Sequence, residues 1–256
     1  MTDVLTYSAD GAVATVTLNR PEARNSIDAE LCVALRDVFD RIESDPDVRV
    51  TVLTGAGKVF CAGMDLKAFA SGAEKDILFG QHGFAGFVAR KRKKPVIAAV
   101  EGAALAGGFE IMLACDMVYA GQSAKFGLPE PTVGLFAGGG GAIRLATRVP
   151  RVLANQILLS GRPVDAATAV QWGLINAAVE DGGAIAAAQA MARVIAGNAP
   201  LGVTESLRLA DRAFDLAEDK LWQENQEAMY RIGTSKDSRE GARAFVEKRA
   251  PVWQGE

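Results

Sequence analysis

Apolar and polar residues alternate through positions 12–18, which reads as a half-buried strand. Residues 19–25 hold a proline and form a turn, and Asn25 or Ser26 is placed to cap a helix. In that helix Leu31, Leu35, Val38, Phe39 and Ile42 recur at helical spacing, and the Asp45-Pro46-Asp47 sequence ends it. Residues 48–53 predict a second strand with a glycine turn at 54–57. Residues 66–80 start helical and are then broken by glycine, and residues 84–94 predict a helix halted by Pro95. The run 95–100 is apolar throughout, as in a strand buried on both faces, and a further strand is expected at 116–120. Helices are expected at 142–147 and 152–159, another capped by Asp165 runs to Gln171, and residues 174–179 form a last strand. Beyond Gly183 only helices are predicted: 185–196, 201–213, and two opened by capping-box patterns at Asp215–Glu218 and Asp237–Glu240. Strands and helices thus alternate to about residue 180 and helices alone follow, the pattern of an α/β body with a helical C-terminal segment.

Composition narrows the function classes. The 256 residues are 49% hydrophobic with a net charge of −3, enough for a packed core and without the basic balance of a nucleic-acid binder. No apolar run is long enough to span a membrane, and residues 1–10 lack the basic and apolar regions of a signal peptide. Three scattered cysteines (Cys32, Cys61, Cys115) and one histidine support neither a disulfide framework nor a zinc site, and a reducing cytoplasm is the expected setting. With His82 alone, a Ser-His-Asp or Cys-His hydrolase is disfavoured.

The chemistry concentrates at residues 101–110, after the apolar strand. Gly107 and Gly108 form a turn, and Glu110 follows among apolar neighbours. A glycine turn opening a helix presents free backbone N–H groups, able to hold a developing negative charge. A carboxylate one turn later could move protons. Equally, the stretch could be a tight turn whose first-turn glutamate suits the helix dipole. Two other glycine clusters carry no phosphate-loop chemistry. The Gly55–Lys58 stretch lacks the GxxxxGK[ST] spacing, and the run Gly138–Gly141 forms no dinucleotide fingerprint. The basic run Arg90–Lys94 reads either as cations at a helix C-terminus on a solvated face or as a contact for a phosphorylated ligand.

Three motifs together resemble one family: Phe60-Cys-Ala-Gly-Met-Asp-Leu-Lys67, the stretch 94–110 continuing to Cys115-Asp116, and Phe126-Gly-Leu-Pro-Glu130 with Gly134 and Arg144-Leu145. They resemble the crotonase, or enoyl-CoA hydratase, superfamily across nearly the whole chain. The resemblance implies an α/β crotonase (ClpP-like) spiral of ββα units over residues 1–195. Residues 196–256 would be a helical C-terminal segment that builds a homo-trimer, or a hexamer of two trimers. It implies acyl-CoA ligands and no separate cofactor, since coenzyme A belongs to the substrate. The N–H groups of Met64 and Gly107 would form an oxyanion hole. Glu110 would be the base that activates water, and Glu130 the acid toward Cα, helped by the N–H of Gly138. Main-chain atoms near Ala23, Arg24, Ala62 and Asp65 would cradle coenzyme A. Phe245 and Lys248 would reach a neighbouring subunit's site, the first lining the acyl pocket and the second meeting CoA phosphates. Two glutamates are the pattern of the hydratases, while carnitinyl-CoA dehydratases, isomerases and catalytically weak acyl-CoA binders are the alternatives. Phe109, Pro131 and the Phe136-Ala137 pair depart from common hydratase residues and are expected to shape the acyl pocket.

Overall fold

The computed structural model describes residues 3–65, 67–68, 74–215 and 217–256. Most of the glycine-broken segment predicted to start helical at residue 66 therefore lies outside the described residues. A six-stranded sheet runs in the order β1-β2-β3-β4-β6-β9, from β1 (Leu5–Asp10), β2 (Val13–Leu18), β3 (Val50–Gly55), β4 (Val96–Val100), β6 (Met117–Gly121) and β9 (Ala177–Val179). β1 and β2 form an antiparallel hairpin across Gly11, and every later pairing in this sheet is parallel. A second sheet of three short strands, β5 (Ala103–Leu105), β7 (Lys125–Gly127) and β8 (Val164–Asp165), stacks the turns of the spiral.

β3 and β4 are buried at successive positions because both faces are covered. Val50, Val52, Ile97 and Ala99 face one cluster with Ala184, Ala188 and Ala192 of α7 (Ala184–Ala196). That helix is alanine-rich because small side chains let it lie close on the sheet. The opposite face meets the main core, to which α1 (Ala29–Ser44) contributes Leu31, Leu35, Phe39 and Ile42. A short helix α2 (Glu74–Leu78) adds the buried Ile77. The site is then carried by α3 (Gly107–Leu113), α4 (Gly141–Arg148) and α5 (Arg151–Ser160), and α6 (Ala166–Gln171) leads to β9. The final helices are α8 (Pro200–Arg212), α9 (Glu218–Gly233) and α10 (Lys236–Glu247). α8 buries none of its residues, and α9 exposes Trp222, Met229 and Tyr230.

Several expectations need correction. Residues 84–94 are not a helix: a short 3-10 turn (Phe84–Gly86) forms instead, and positive φ angles precede and interrupt it, 68° at His82, 70° at Gly83, 59° at Ala85 and 62° at Gly86. A backbone in that region cannot propagate a right-handed helix. The basic run is consequently not a solvated helix end. Arg90, 4% exposed, bonds Asp40, Arg92 bonds Asp116 and the carbonyl of Ala114, and Lys94 bonds the carbonyls of Ile42 and Asp45. These cations complement the C-terminal ends of α1 and α3 instead. α1 is capped by Asp28, which accepts the Leu31 N–H at 2.9 Å, because Asn25 is committed elsewhere. Fully buried at φ 54°, Asn25 accepts from the Arg20 N–H and donates to the carbonyls of Ala56 and Val59. α9 starts after Ala217 with no side-chain cap from Asp215, and α10 is capped by Ser235, two residues before the predicted Asp237. Asp237 instead accepts the N–H groups of Gln254 and Gly255 and ties down the C-terminal tail. The last strand is shorter than predicted because Leu174 and Ile175 turn into the core.

Candidate active site

β4 leads through Gly102 into β5 and then to α3. The loop 60–64 runs beside it: the Cys61 N–H donates to Ala103 O at 3.2 Å, and the Leu105 N–H donates to Cys61 O at 3.0 Å. On its other edge Met64 bridges Ile27. α3 opens at once after Ala106, whose φ of 49° and ψ of −131° are strained for an alanine. Gly108 is required here because a Cβ would lie 2.1 Å from Cys61 O. A Cβ on Gly63 would lie 3.0 Å from the Gly107 nitrogen, so the Met64 strand and the helix start are in contact. Neither the Met64 nor the Gly107 N–H donates to an acceptor among the described residues. Two adjacent amides without partners are an unusual state for a protein interior. They suit an incoming oxyanion.

Glu110 lies one turn into α3 and is 4% exposed. Its Oε1 accepts the Gly141 N–H at 2.9 Å, and the Gly139 N–H also faces it. The glycines are needed for this approach: a Cβ on Gly139 would lie 2.4 Å from Oε2, and one on Gly141 would lie 3.0 Å from Oε1. Burial pushes Glu110 up to about 7, the Glu130 carboxylate adds to the rise, and the two amides and Arg144 oppose it. Glu130 opens a 3-10 turn (Glu130–Val133), and burial raises its carboxyl as well. Its Oε2 is buried with no hydrogen-bond partner among the described residues. The fold therefore brings together two carboxyls that lie 20 residues apart in sequence, and gives them unequal surroundings.

The Gly138 N–H does not reach Glu130; it donates to Phe136 O at 2.8 Å within its own turn. Phe109 does not face an acyl pocket either. It is 0% exposed, and its ring lies 6.0 Å from that of Phe126 in the core. Pro131 and Phe136 are exposed beside the glycine run. Ala23, Arg24, Ala62 and Asp65 are brought to one place: the Ala62 N–H donates to Arg24 O at 3.0 Å, and Arg20 bonds Asp65 at 3.2 Å. Phe245 is 86% exposed near the end of α10, and Lys248 caps that helix in the left-handed conformation. His82 lies beside Asp40, with its protonation opposed by burial and by Arg90. Sequence reasoning attached no role to Gly139, Gly141 or Arg144. The glycine run was the available signal, but its partner, Glu110, is remote in sequence.

Known proteins match this chain along nearly its whole length. The family model described as enoyl-CoA hydratase/isomerase matches residues 8–256. The enoyl-CoA hydratase EchA19 of Mycobacterium tuberculosis is 42% identical over 244 residues, covering 93% of this chain and 92% of that protein. A carnitinyl-CoA dehydratase of Proteus mirabilis is 40% identical, with 100% of both chains covered. The crystal structure of enoyl-CoA hydratase EchA1 from Mycobacterium marinum superposes with a TM-score of 0.96 at 41% identity over 100% of both chains. The matches span nearly the whole chain and share its fold, and the chain belongs to the enoyl-CoA hydratase/isomerase family.

Proposed function

We propose that this protein is an enoyl-CoA hydratase, adding water reversibly to a trans-2-enoyl-CoA to give the 3-hydroxyacyl-CoA. The observation that carries the reading is the Glu110–Glu130 pair beside the unpartnered Met64 and Gly107 amides. Those two N–H groups receive the thioester oxygen as the enolate forms; one such donor typically contributes about 100- to 1000-fold in rate. Hydrogen bonds distinguish the carboxyls. Glu110 accepts from two glycine amides, whereas Glu130 accepts only from its own N–H and keeps Oε2 buried without a partner among the described residues. Glu110 accordingly takes the proton from water attacking Cβ, and Glu130 delivers one to Cα. The Glu130 charge adds to the rise at Glu110, which links the two titrations. Water addition moves only protons and hydroxide, so it calls for no redox group or metal, and coenzyme A arrives with the substrate. Ala23, Arg24, Ala62 and Asp65 offer backbone for the CoA portion. Phe245 and Lys248, exposed on α10, are free to meet a neighbouring subunit's ligand in a homo-trimer or a hexamer of trimers, working in the cytoplasm.

The full-length match to a carnitinyl-CoA dehydratase supports a second reading within the same chemistry, with a polar acyl group. One assay separates them: hydration of crotonyl-CoA, longer 2-enoyl-CoAs and crotonobetainyl-CoA, followed by loss of the conjugated thioester. Turnover of the simple enoyl-CoAs is expected. Activity confined to crotonobetainyl-CoA would select the second reading, and no hydration of any of them would refute both. Light scattering at micromolar concentration checks the assembly, with a monomer contradicting it.

A further inference from the structure

We infer that Arg144 is the positioning residue of the Glu110 carboxyl: tied to the backbone of Val88, it folds over Gly140, holds the first turn of α4 against that carboxyl and presents a cation to it. The geometry is local and specific. Arg144 lies one turn into α4, and its own N–H donates to Gly140 O at 2.9 Å. Its guanidinium bends back over the same residue, since a Cβ on Gly140 would lie 2.2 Å from Nη1. Its Nη2 donates to Val88 O, in the segment whose Phe84 ring abuts Gly107. Gly140 is left-handed, with a φ of 99°, and the next residue gives its N–H to Glu110. The guanidinium thus packs against the residue that precedes the amide holding the base.

Charge points the same way. Three arginines gather near the C-terminal end of α3. Arg92 is committed to Asp116 and Ala114 O, and Arg148 to the carbonyls of Leu113 and Cys115. Arg144 has no ion pair among the described residues. The groups that face it are Arg92, Arg148 and Cys115, with Asp211 of α8 and Glu110 as the nearby carboxyls. The groups that face Glu110 are Glu130, the amides of Gly139 and Gly141, and Arg144. Arg144 is the one cation in that set, and it opposes the proton affinity that burial and Glu130 impose.

This assignment rests on Glu110 being the base, and its test separates the two. In the unliganded protein the Glu110 carboxyl is followed by NMR of 13C-labelled glutamate and identified by its loss in Glu110→Gln. Arg144→Met is expected to move that titration to higher pH by on the order of one unit. The acidic limb of kcat/KM for crotonyl-CoA should move with it, with kcat at neutral pH down about fivefold and KM changed less than about threefold. Arg144→Lys, which keeps the charge, should restore most of the shift. If Arg144→Met does not fold, Arg144→Gln carries the same expectation. A Glu110 titration unmoved in the neutral variants overturns the assignment, as does a KM effect with kcat intact. A shifted titration in a protein that hydrates no enoyl-CoA sustains the role of Arg144 and refutes the hydratase reading instead.

Discussion

The turn at Gly107–Gly108 and the turn at Gly138–Gly141 both open a helix with glycine, yet they use their amides in opposite ways. In the first, strain at Ala106 and contact with the loop 60–64 leave the Gly107 N–H without an acceptor. In the second, the Gly141 N–H is already bonded to Glu110. A helix start is an anion site only while its amides stay free. One turn awaits the negative charge of the reaction, and the other holds the negative charge of the catalyst. The crowding differs too. Gly108 is pressed against backbone, at Cys61 O, whereas Gly139 is pressed against a side chain, the Glu110 carboxyl.

Removing the charge that distinguishes the turns should have the largest effect. Glu110→Gln and Glu130→Gln are each expected to lower kcat by ~100- to 10,000-fold with acyl-CoA affinity nearly unchanged, read by steady-state kinetics and calorimetric titration. Wild-type rates in both would end the acid–base assignment. Next come the glycines. Gly108→Ala should cost several kcal/mol of stability, on the order of other overpacked core substitutions, because the Cys61 carbonyl has nowhere to go. Gly139→Ala should fold with about 1–2 kcal/mol lost and still lose on the order of tenfold or more in kcat, because the carboxyl gives way. Equal effects of the two in denaturant melts would erase the contrast drawn between backbone and side-chain crowding.

Confined to one pH range is an effect on stability. Glu110 binds its proton more tightly folded than unfolded, since its carboxyl is raised to about 7 from 4.5. Its ionisation therefore destabilises the fold as pH rises above the unfolded value, and the penalty is complete above about 7. Glu110→Gln should accordingly be more stable than wild type at pH 8 by roughly 1–3 kcal/mol, and little different at pH 4, by thermal melts at both. The same ionisation places the acidic limb of kcat/KM near 7. A limb well below this value would show that Glu110 is not raised in the free enzyme, whereas a lower limb in kcat alone would show that the bound substrate resets the pair.

Much of the frame was legible because periodicity reports burial locally. The continuous apolar run of β4, the helical stripe of α1 and the Asp165 cap of α6 all lie where the pattern put them. The failures share a cause. Residues 84–94 have helical composition, but Gly86 lies so close to α1 that a Cβ would meet Arg36 Cβ at 2.8 Å, and the chain takes left-handed turns there. Asn25 looked like a cap and is a buried knot, because its partners Ala56 and Val59 are remote in sequence. β1 went unpredicted, and the short strands β5, β7 and β8 are too brief to show a period. The motifs marked Glu110 and Glu130, but the resemblance alone suggested that they meet.

What could be read from the residues in order was whatever depends on neighbours within a few positions: strand alternation, helix faces, the glycine turn after β4, the acid one turn beyond it. Long-range packing settled the rest. It turned Phe109 into the core, moved the bond expected near Gly138 to Gly141 on Glu110, and set Arg144 behind that carboxyl. Hydrogen bonding and desolvation act through space, so a carboxyl's proton affinity belongs to the assembled fold rather than to any stretch of chain.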